Sequence, residues 1–275
     1  MRPKIKKGEI IKGAIATLIG LVIVFPIFYA FSASFFSVQD FAVYPPQILP
    51  KSLSFHNYLR AFRESLLFRF MLNSLFISIV GSVLRMGVAI LAAFAVAQLN
   101  FKGRNVLFFI ILGTMMLPPD ALIIENYLTI SRLALVDTYI GIMSVYLLAP
   151  TQMFMLRQSF KTIPKTYREV AAIDGCSDLR FLISVAMPMS KSIILTLWLH
   201  SFVTIWNTYL WPLLVTNKAH MRTVQVGITM LGYAESLDYG PIFAAISILI
   251  LPSIIIFLLL RKRIVSGIAA GTIVG

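Results

Sequence analysis

The stretch YREVAAIDGCSDLRFLISVAMPMS, residues 167–190, decides the fold class of this chain. It lies between two long apolar segments, and yet it contains five charged residues, Arg168, Glu169, Asp174, Asp178 and Arg180. Charged side chains are costly at the depth of a lipid bilayer, so this density of charge predicts a water-exposed loop between two membrane spans. The flanking apolar segments are then the spans themselves.

Local signals within this stretch predict two short helices joined at a glycine. Pro164 suits the first turn of the first helix, and Gly175 suits the left-handed residue that ends it. Ser177 can cap a second helix, which Pro188 is expected to end. That second helix has one apolar face, formed by Leu179, Leu182, Ile183 and Ala186. A two-helix unit of this kind, standing outside the membrane, indicates docking to a partner protein.

The same stretch resembles the cytoplasmic coupling loop, or EAA loop, of permease subunits of ABC importers. The family pattern is Glu-Ala-Ala, three residues, Gly, nine residues, Ile, one residue and Leu-Pro. Glu169, Ala171 and Gly175 match this pattern, and Pro188 closes it at the right distance. Three positions depart from it with other apolar residues, namely Val170, Val185 and Met187.

The resemblance also points to one branch of the family. The motif 173–175 (IDG) and the tail 263–275 (RIVSGIAAGTIVG) resemble the carbohydrate-uptake branch, with its maltose-type and glycerol-3-phosphate-type inner-membrane permeases. This resemblance implies an all-α integral membrane protein with the type I ABC-importer permease fold. It further implies that the coupling loop, 157–191, seats in a cleft of a separate ATP-binding subunit.

Six residues of the loop are candidates for coupling to that subunit, namely Glu169, Ala171, Ala172, Ile173, Asp174 and Gly175. We expect Glu169 to make the polar contact. A small apolar face is expected from Ala171, Ala172 and Ile173, and Gly175 is expected to set the turn between the helices. The alternative is a well-capped surface loop that has no partner.

Composition independently predicts a membrane protein. Of the 275 residues, 59% are hydrophobic and only 13% are charged, with a mean hydropathy of +0.87. A soluble domain of this length needs more polar surface. The net charge of +13 could indicate nucleic-acid binding, but the basic residues follow the predicted loops instead of forming one patch. The single cysteine, Cys176, excludes a disulfide framework.

Six transmembrane helices are predicted, at about 13–36, 68–98, 106–124, 138–156, 192–215 and 239–260. The third is expected to be broken at its outer end, where Leu117 is followed by two prolines. An interfacial helix is expected at 55–65, and 216–238 is expected to form an outer loop.

The distribution of basic residues predicts the orientation of these spans. Sixteen Lys and Arg residues lie in the N-terminal arm, the 99–105 link, the coupling loop and the C-terminal tail, against seven in the opposite loops. By the positive-inside rule, both termini and the coupling loop face the cytoplasm. We therefore predict one transmembrane permease domain, 1–275, with a cytoplasmic arm (1–12) and a cytoplasmic tail (261–275), in a bacterial-type plasma membrane.

Catalytic motifs are missing from the sequence. There is no G-x-x-x-x-G-K-[ST] phosphate loop, so we expect ATP and Mg²⁺ to be bound by partner subunits. Neither H-E-x-x-H nor G-x-S-x-G occurs, and the histidines are scattered at positions 56, 200 and 220. These observations predict that the chain is not an enzyme and that it carries no metal or cofactor.

Six residues are candidates for a substrate pathway, namely Arg85, Glu125, Asn126, Trp206, Asn207 and Tyr209. Arg85 falls within the second span, where a charge usually faces protein or water; it could instead bond to helix carbonyls or reach an interface. Trp206, Asn207 and Tyr209 could bind sugars, or could belong to an aromatic belt at the membrane surface. Glu125 and Asn126 could equally belong to a polar loop.

These observations predict half of the translocation pathway of an ATP-driven importer for a sugar, an oligosaccharide or a related polyol. The implied partners are a second, homologous permease (giving a heterodimer), two ATP-binding subunits, an extracytoplasmic solute-binding protein and membrane lipid. An alternative with the same architecture imports glycerol-3-phosphate or a glycerophosphodiester. A different class, an ion-coupled secondary transporter, requires acidic residues within the spans, and the sequence places them in loops or at span ends.

Overall fold

The computed structural model describes residues 7–63, 66–234 and 239–272, and this part of the chain contains helices and no β-strand. Fifteen α-helical segments follow in chain order: α1 Lys7–Ala33, α2 Val38–Phe41, α3 His56–Arg63, α4 Leu67–Gln98, α5 Arg104–Gly113, α6 Ile123–Arg132, α7 Tyr139–Ser144, α8 Pro150–Lys161, α9 Lys165–Ile173, α10 Asp178–Phe181, α11 Met187–Met189, α12 Lys191–Trp206, α13 Leu210–Val215, α14 Val224–Ala234 and α15 Gly240–Thr272. A π-helical turn, Leu182–Ala186, joins α10 to α11.

The described residues form two compact units. Unit 1 comprises the residues up to 68 together with 227–254, and unit 2 comprises 69–226 together with the residues from 255 onward. In unit 1, the buried Asn57 on α3 holds the end of α1, because its amide donates to the carbonyls of Ser34 (2.9 Å) and Phe36 (2.8 Å). The Ser247 hydroxyl on α15 also reaches the Ala30 carbonyl at 3.3 Å.

Unit 2 is built around α4. Small residues on this helix, such as Ala89 and Ala93, are buried and allow close packing. The main hydrophobic cluster includes Phe94, Leu156, Phe160, Phe181 and Leu182. The C-terminal half of α4 therefore packs against α8 and the segment that follows α9.

The connection after α13 is fixed to unit 2 by side chains that bond its backbone. Asp137 Oδ1 accepts hydrogen bonds from the backbone N–H groups of Asn217 (2.7 Å) and Lys218 (2.8 Å). Asn73 Nδ2 on α4 donates to the carbonyls of His220 (2.8 Å) and Arg222 (2.9 Å). Residues 217–220 are exposed, and these hydrogen bonds hold their backbone in place.

The predicted break in the third span is confirmed, and the structure also interrupts the fourth and fifth predicted spans, where no break was predicted. The predicted third span divides into α5 and α6 around two short 3₁₀ turns. The predicted fourth span divides into α7 and α8, because Pro150 lacks an N–H and opens a new helix. The predicted fifth span divides into α12 and α13, since Pro212 cannot donate to the carbonyl of Thr208 four residues earlier.

Three further predictions differ from the structure at their boundaries. The predicted outer loop contains a helix, α14, and residues 235–238 of it lie outside the described residues. The predicted tail continues as part of α15 up to Thr272, with 273–275 outside the described residues. A helix is present at the position of the predicted interfacial helix, as α3, and its place at the membrane interface stays a prediction. Residues 64–65 and the start of the arm, 1–6, are not described.

Two helices in the described residues are long and apolar enough to cross a membrane, Ile11–Ala33 within α1 and all of α4. Counting each sharply bent pair, α5 with α6 and α10–α11 with α12, as one span raises the number to four. A shorter apolar helix covers Gly240–Ile256. Six spans with cytoplasmic termini stay a prediction.

Candidate functional site

The coupling unit, residues 164–190, begins with α9 and a turn at Gly175. The Cys176 N–H donates to the Ala171 carbonyl (2.8 Å) and the Gly175 N–H to the Ala172 carbonyl (3.1 Å). These two bonds are those of a Schellman motif, which requires a left-handed residue between them. Gly175 supplies it with φ of +68°. The predicted left-handed turn is confirmed.

The second helix begins as predicted and ends differently. The Ser177 hydroxyl accepts a hydrogen bond from the Arg180 N–H at 3.4 Å, which confirms the predicted cap. Pro188 does not end the helix, because the chain first widens into the π turn, where the Met187 N–H reaches the Leu182 carbonyl. The wider turn makes room for the proline ring, so α11 continues to Met189.

The apolar face predicted for this second helix is divided between two surroundings. Leu182 and Ala186 are buried in the main hydrophobic cluster together with Phe181. Leu179 and Ile183, four residues apart, are instead 58% and 56% exposed. Only part of the predicted face therefore holds the unit on the bundle, and the rest remains open.

On α9, no side chain is buried. Tyr167, Val170 and Ile173 are exposed, the last of them at 85%. We call these three residues, together with Leu179 and Ile183, the open apolar residues of the coupling unit. Five bulky apolar side chains exposed on one protruding unit are typical of a binding surface.

The six candidate coupling residues do not all face outward. Glu169, Ala172, Ile173, Asp174 and Gly175 are exposed. Ala171, in contrast, is half-buried and packs against the main hydrophobic cluster. Of the three residues expected to form a small apolar face, only Ala172 and Ile173 are exposed, because Ala171 is the position at which α9 contacts the bundle.

A second candidate site lies where the helices of unit 2 are broken. Arg85 on α4 is half-buried, and its buried Nε has no hydrogen-bond partner. Tyr146, between α7 and α8, lies near Arg85 and also near Thr208 in the break before α13. The buried hydroxyl of Tyr146 has no hydrogen-bond partner in the described part of the chain. Within the described residues, no carboxylate pairs with Arg85.

Arg85 was predicted from the sequence as a site residue, whereas Tyr146 and Thr208 were not. Both lie in breaks of the fourth and fifth predicted spans, where no break was predicted. A usable signal was present, because Pro150 and Pro212 each follow four residues later and deprive these positions of a helical backbone partner.

The other candidate pathway residues are dispersed. Asn207 and Tyr209 are exposed at the break between α12 and α13. Trp206 is only 2% exposed and stacks on Phe202 with ring centroids 6.0 Å apart, so it fills the core instead of lining a path. On α6, Glu125 is exposed and Asn126 half-buried.

Known proteins are similar to this chain along nearly its whole length. Residues 85–269 match the family described as "Binding-protein-dependent transport system inner membrane component". The chain is 32% identical over 266 residues to the sn-glycerol-3-phosphate transport system permease protein UgpE of Rhizobium meliloti (strain 1021), covering 93% of this chain and 94% of that protein. It is 31% identical over 273 residues to the protein of the same name from Pectobacterium atrosepticum, covering 96% and 97%.

A solved structure shares the fold. It is described as the crystal structure of a bacterial ABC transporter involved in the import of the acidic polysaccharide alginate, and one of its chains superposes with a TM-score of 0.82 at 26% identity. The alignment covers 94% of this chain and 99% of that one. The type I importer fold and the family match agree, and this chain therefore belongs to the family of binding-protein-dependent transport system inner membrane components, the permease subunits of ABC importers.

Proposed function

We propose that this permease forms half of the translocation pathway for an anionic, hydroxyl-rich solute, such as a phosphorylated polyol. The charge of Arg85 near the helix breaks, which no carboxylate of the described residues neutralises, carries this proposal. The complete assembly contains a second, homologous permease in a heterodimer, two ATP-binding subunits that hold ATP and Mg²⁺, and an extracytoplasmic solute-binding protein. The whole chain, 1–275, is one membrane domain with six spans and both termini in the cytoplasm, as the distribution of basic residues indicates.

The coupling unit receives the movement of the ATP-binding subunits. Its exposed Glu169 makes the polar contact, and Val170 and Ile173 enter an apolar cleft of the partner. The fixed turn at Gly175 keeps the two short helices in one arrangement, so that movement of the ATP-binding subunits moves both helices together. ATP-driven closure of the motor subunits moves this unit and opens the permease pair outward, and hydrolysis resets the pair inward.

The exposed segment 217–220 faces the solute-binding protein. Because Asp137 and Asn73 hold its backbone, this segment presents a fixed surface. The loaded binding protein docks there and releases its solute into the path between the two permeases.

Arg85 binds the anionic group of that solute. A charge at span depth costs at least ~2.5–3.5 kcal/mol on insertion scales, and it persists where water or a partner charge compensates for the lost hydration. No carboxylate in the described residues provides that charge, whereas a phosphate or carboxylate of the solute can. Tyr146 supplies a hydroxyl group near the guanidinium, and Thr208 supplies a second hydroxyl near Tyr146; both suit a hydroxyl-rich ligand.

The names of the similar proteins agree with this chemical class. The relatives are named for sn-glycerol-3-phosphate, and the structural neighbour is described as importing an acidic polysaccharide. Both solutes are anionic and rich in hydroxyl groups. A neutral oligosaccharide is the second candidate, favoured by the exposed amide of Asn207 and the exposed ring of Tyr209 in the same break.

Uptake by the reconstituted transporter tests the proposal. Arg85→Gln should lower the uptake of sn-glycerol-3-phosphate at low solute concentration by about 10- to 100-fold, because a hydrogen bond to a charged group contributes ~1.5–3 kcal/mol. Arg132→Gln, at an exposed arginine on α6, is the matched control and should transport normally. Unchanged uptake in Arg85→Gln, or faster uptake of neutral maltose than of the phosphate ester by the wild type, would contradict the proposal.

A further inference from the structure

Arg168 joins α9 to two other elements of unit 2. Its guanidinium forms an ion pair with the carboxylate of Asp178 on α10. Its Cζ atom lies 5.7 Å from the ring centroid of Phe181 on α10 and 5.9 Å from that of Phe94 on α4. These distances are within the range of cation–π attraction. One side chain of the coupling unit is thus in contact with a membrane-spanning helix.

The two rings beneath Arg168 belong to the buried core. Phe94 and Phe181 are both buried, and their centroids are 6.3 Å apart with an interplanar angle of 37°. The guanidinium therefore rests on a rigid aromatic pair, while its outer edge pairs with the more exposed Asp178. This arrangement fixes the cation from below and from one side.

The rest of α9 has few contacts with the bundle. None of its side chains is buried, and Ala171 contributes only a methyl group to the hydrophobic cluster. The Schellman turn at Gly175 joins α9 to α10 through backbone bonds, which leave the tilt of α9 against α4 undetermined. Arg168 is positioned to determine that tilt.

We propose that Arg168 is a positioning residue that transmits movement of α9 to α4. The proposal rests on the proposed docking of the coupling unit to an ATP-binding subunit. Phe94 and Arg85 are on the same helix, about 13.5 Å apart at 1.5 Å per residue. A force applied to α9 therefore reaches the helix that carries the charged group of the proposed pathway. When Arg168 is removed, α9 tilts about its turn, and ATP is hydrolysed without a matching movement of α4.

The number of ATP molecules hydrolysed per solute imported measures this transmission. The full complex, with its ATP-binding subunits and solute-binding protein, is reconstituted in vesicles with Arg168→Ala, Arg168→Lys or Arg132→Ala. We expect Arg168→Ala to keep hydrolysis within about twofold while uptake falls about tenfold, which is in the range of known coupling between sites. Arg168→Lys retains the charge without the planar stacking surface and should be intermediate. Arg132→Ala, at an exposed arginine on α6 outside the coupling unit, is the matched control and should equal the wild type.

Several results would overturn the proposal. Equal losses of hydrolysis and uptake, or no change in either, would show that Arg168 does not transmit movement. Co-purification distinguishes a loss of transmission from a loss of docking. If Arg168→Ala loses the ATP-binding subunit while the wild type retains it, Arg168 is a docking residue and the proposal is overturned. If the wild type never binds that subunit, the proposed function itself fails. If Arg168→Ala does not assemble, Asp178→Asn provides the test, because it keeps the arginine and both aromatic rings and removes only the ion pair. The number of ATP molecules hydrolysed per solute imported should rise in this variant. An unchanged number would overturn the proposal.

Discussion

A glycine at position 175 could be needed for its left-handed backbone conformation or for the space that it leaves to a docked subunit, and replacement of Gly175 distinguishes these two reasons. The residue has φ of +68°, a conformation that costs an L-residue ~1–2 kcal/mol and costs asparagine less. A Cβ placed there would meet no atom within 4 Å, so the permease itself adds no steric penalty. We therefore expect Gly175→Ala to lower the free energy of unfolding by about 1 kcal/mol, and Gly175→Asn by less.

Transport should follow the opposite order. If the ATP-binding subunit closes over the open space at Gly175, then the larger asparagine side chain obstructs docking more than alanine does. We expect Gly175→Asn to fold better than Gly175→Ala and to transport less.

Thermal unfolding in detergent and solute uptake in vesicles, measured on the same preparations, give the two rankings. Gly103→Asn is the matched control, because Gly103 has φ of +82° with equal open space and lies outside the coupling unit. If uptake simply follows stability, so that Gly175→Asn transports better than Gly175→Ala, the glycine serves the backbone alone and the docking argument is refuted.

Two further predictions concern unit 1. Gly240→Ala places a Cβ 2.5 Å from the Asn57 side chain, so the thermal midpoint of this variant should fall by the equivalent of ~1–3 kcal/mol. The control Gly87→Ala, whose Cβ meets no atom within 4 Å, should keep the wild-type midpoint. Equal midpoints for the two variants would contradict this prediction. The pKa of Asp40 lies below its ordinary value of 3.8, because the Ser37 backbone N–H and hydroxyl donate to its carboxylate. Its stabilising contribution is therefore complete above that pH and is lost as the pH falls through the lowered pKa of the folded protein. Asp40→Asn should remove this acid-dependent part of the unfolding free energy, and an unchanged pH profile of the thermal midpoint would contradict it.

The features predicted correctly from sequence depend on residues close together in the chain. The left-handed turn at Gly175 and the cap at Ser177 each involve backbone groups within five positions. Such bonds form whatever the rest of the fold does, so local patterns identify them. The long apolar segments that became α1 and α4 were recognisable for the same reason.

The breaks in the fourth and fifth predicted spans were not predicted, because both segments are apolar on either side of the break. Composition is nearly the same in a continuous and a broken span, whereas Pro150 and Pro212 interrupt the hydrogen bonds of the helix. These breaks bring Tyr146 near Arg85 and Thr208 near Tyr146, a juxtaposition that no spacing in the sequence indicates.

The contacts that decide which side of the coupling unit faces outward were also beyond the sequence. Whether Ala171 or Leu179 is buried depends on where α9 and α10 lie against α4, and the π turn changes the register of the second helix. Arg168 is in contact with Phe94, which is remote in the chain. Long-range packing of this kind follows from the three-dimensional fold and not from a local pattern.

Photocrosslinking from position 173 tests the docking of the coupling unit most directly. A photoreactive amino acid replaces Ile173, which is 85% exposed on α9, and in a matched variant it replaces Met116, which is 87% exposed between α5 and α6. In membranes containing the whole transporter, we predict a crosslink from position 173 to the ATP-binding subunit and none from position 116. A crosslink from position 173 to lipid or to the solute-binding protein, with the ATP-binding subunit unlabelled, would contradict the docking of this unit to a motor.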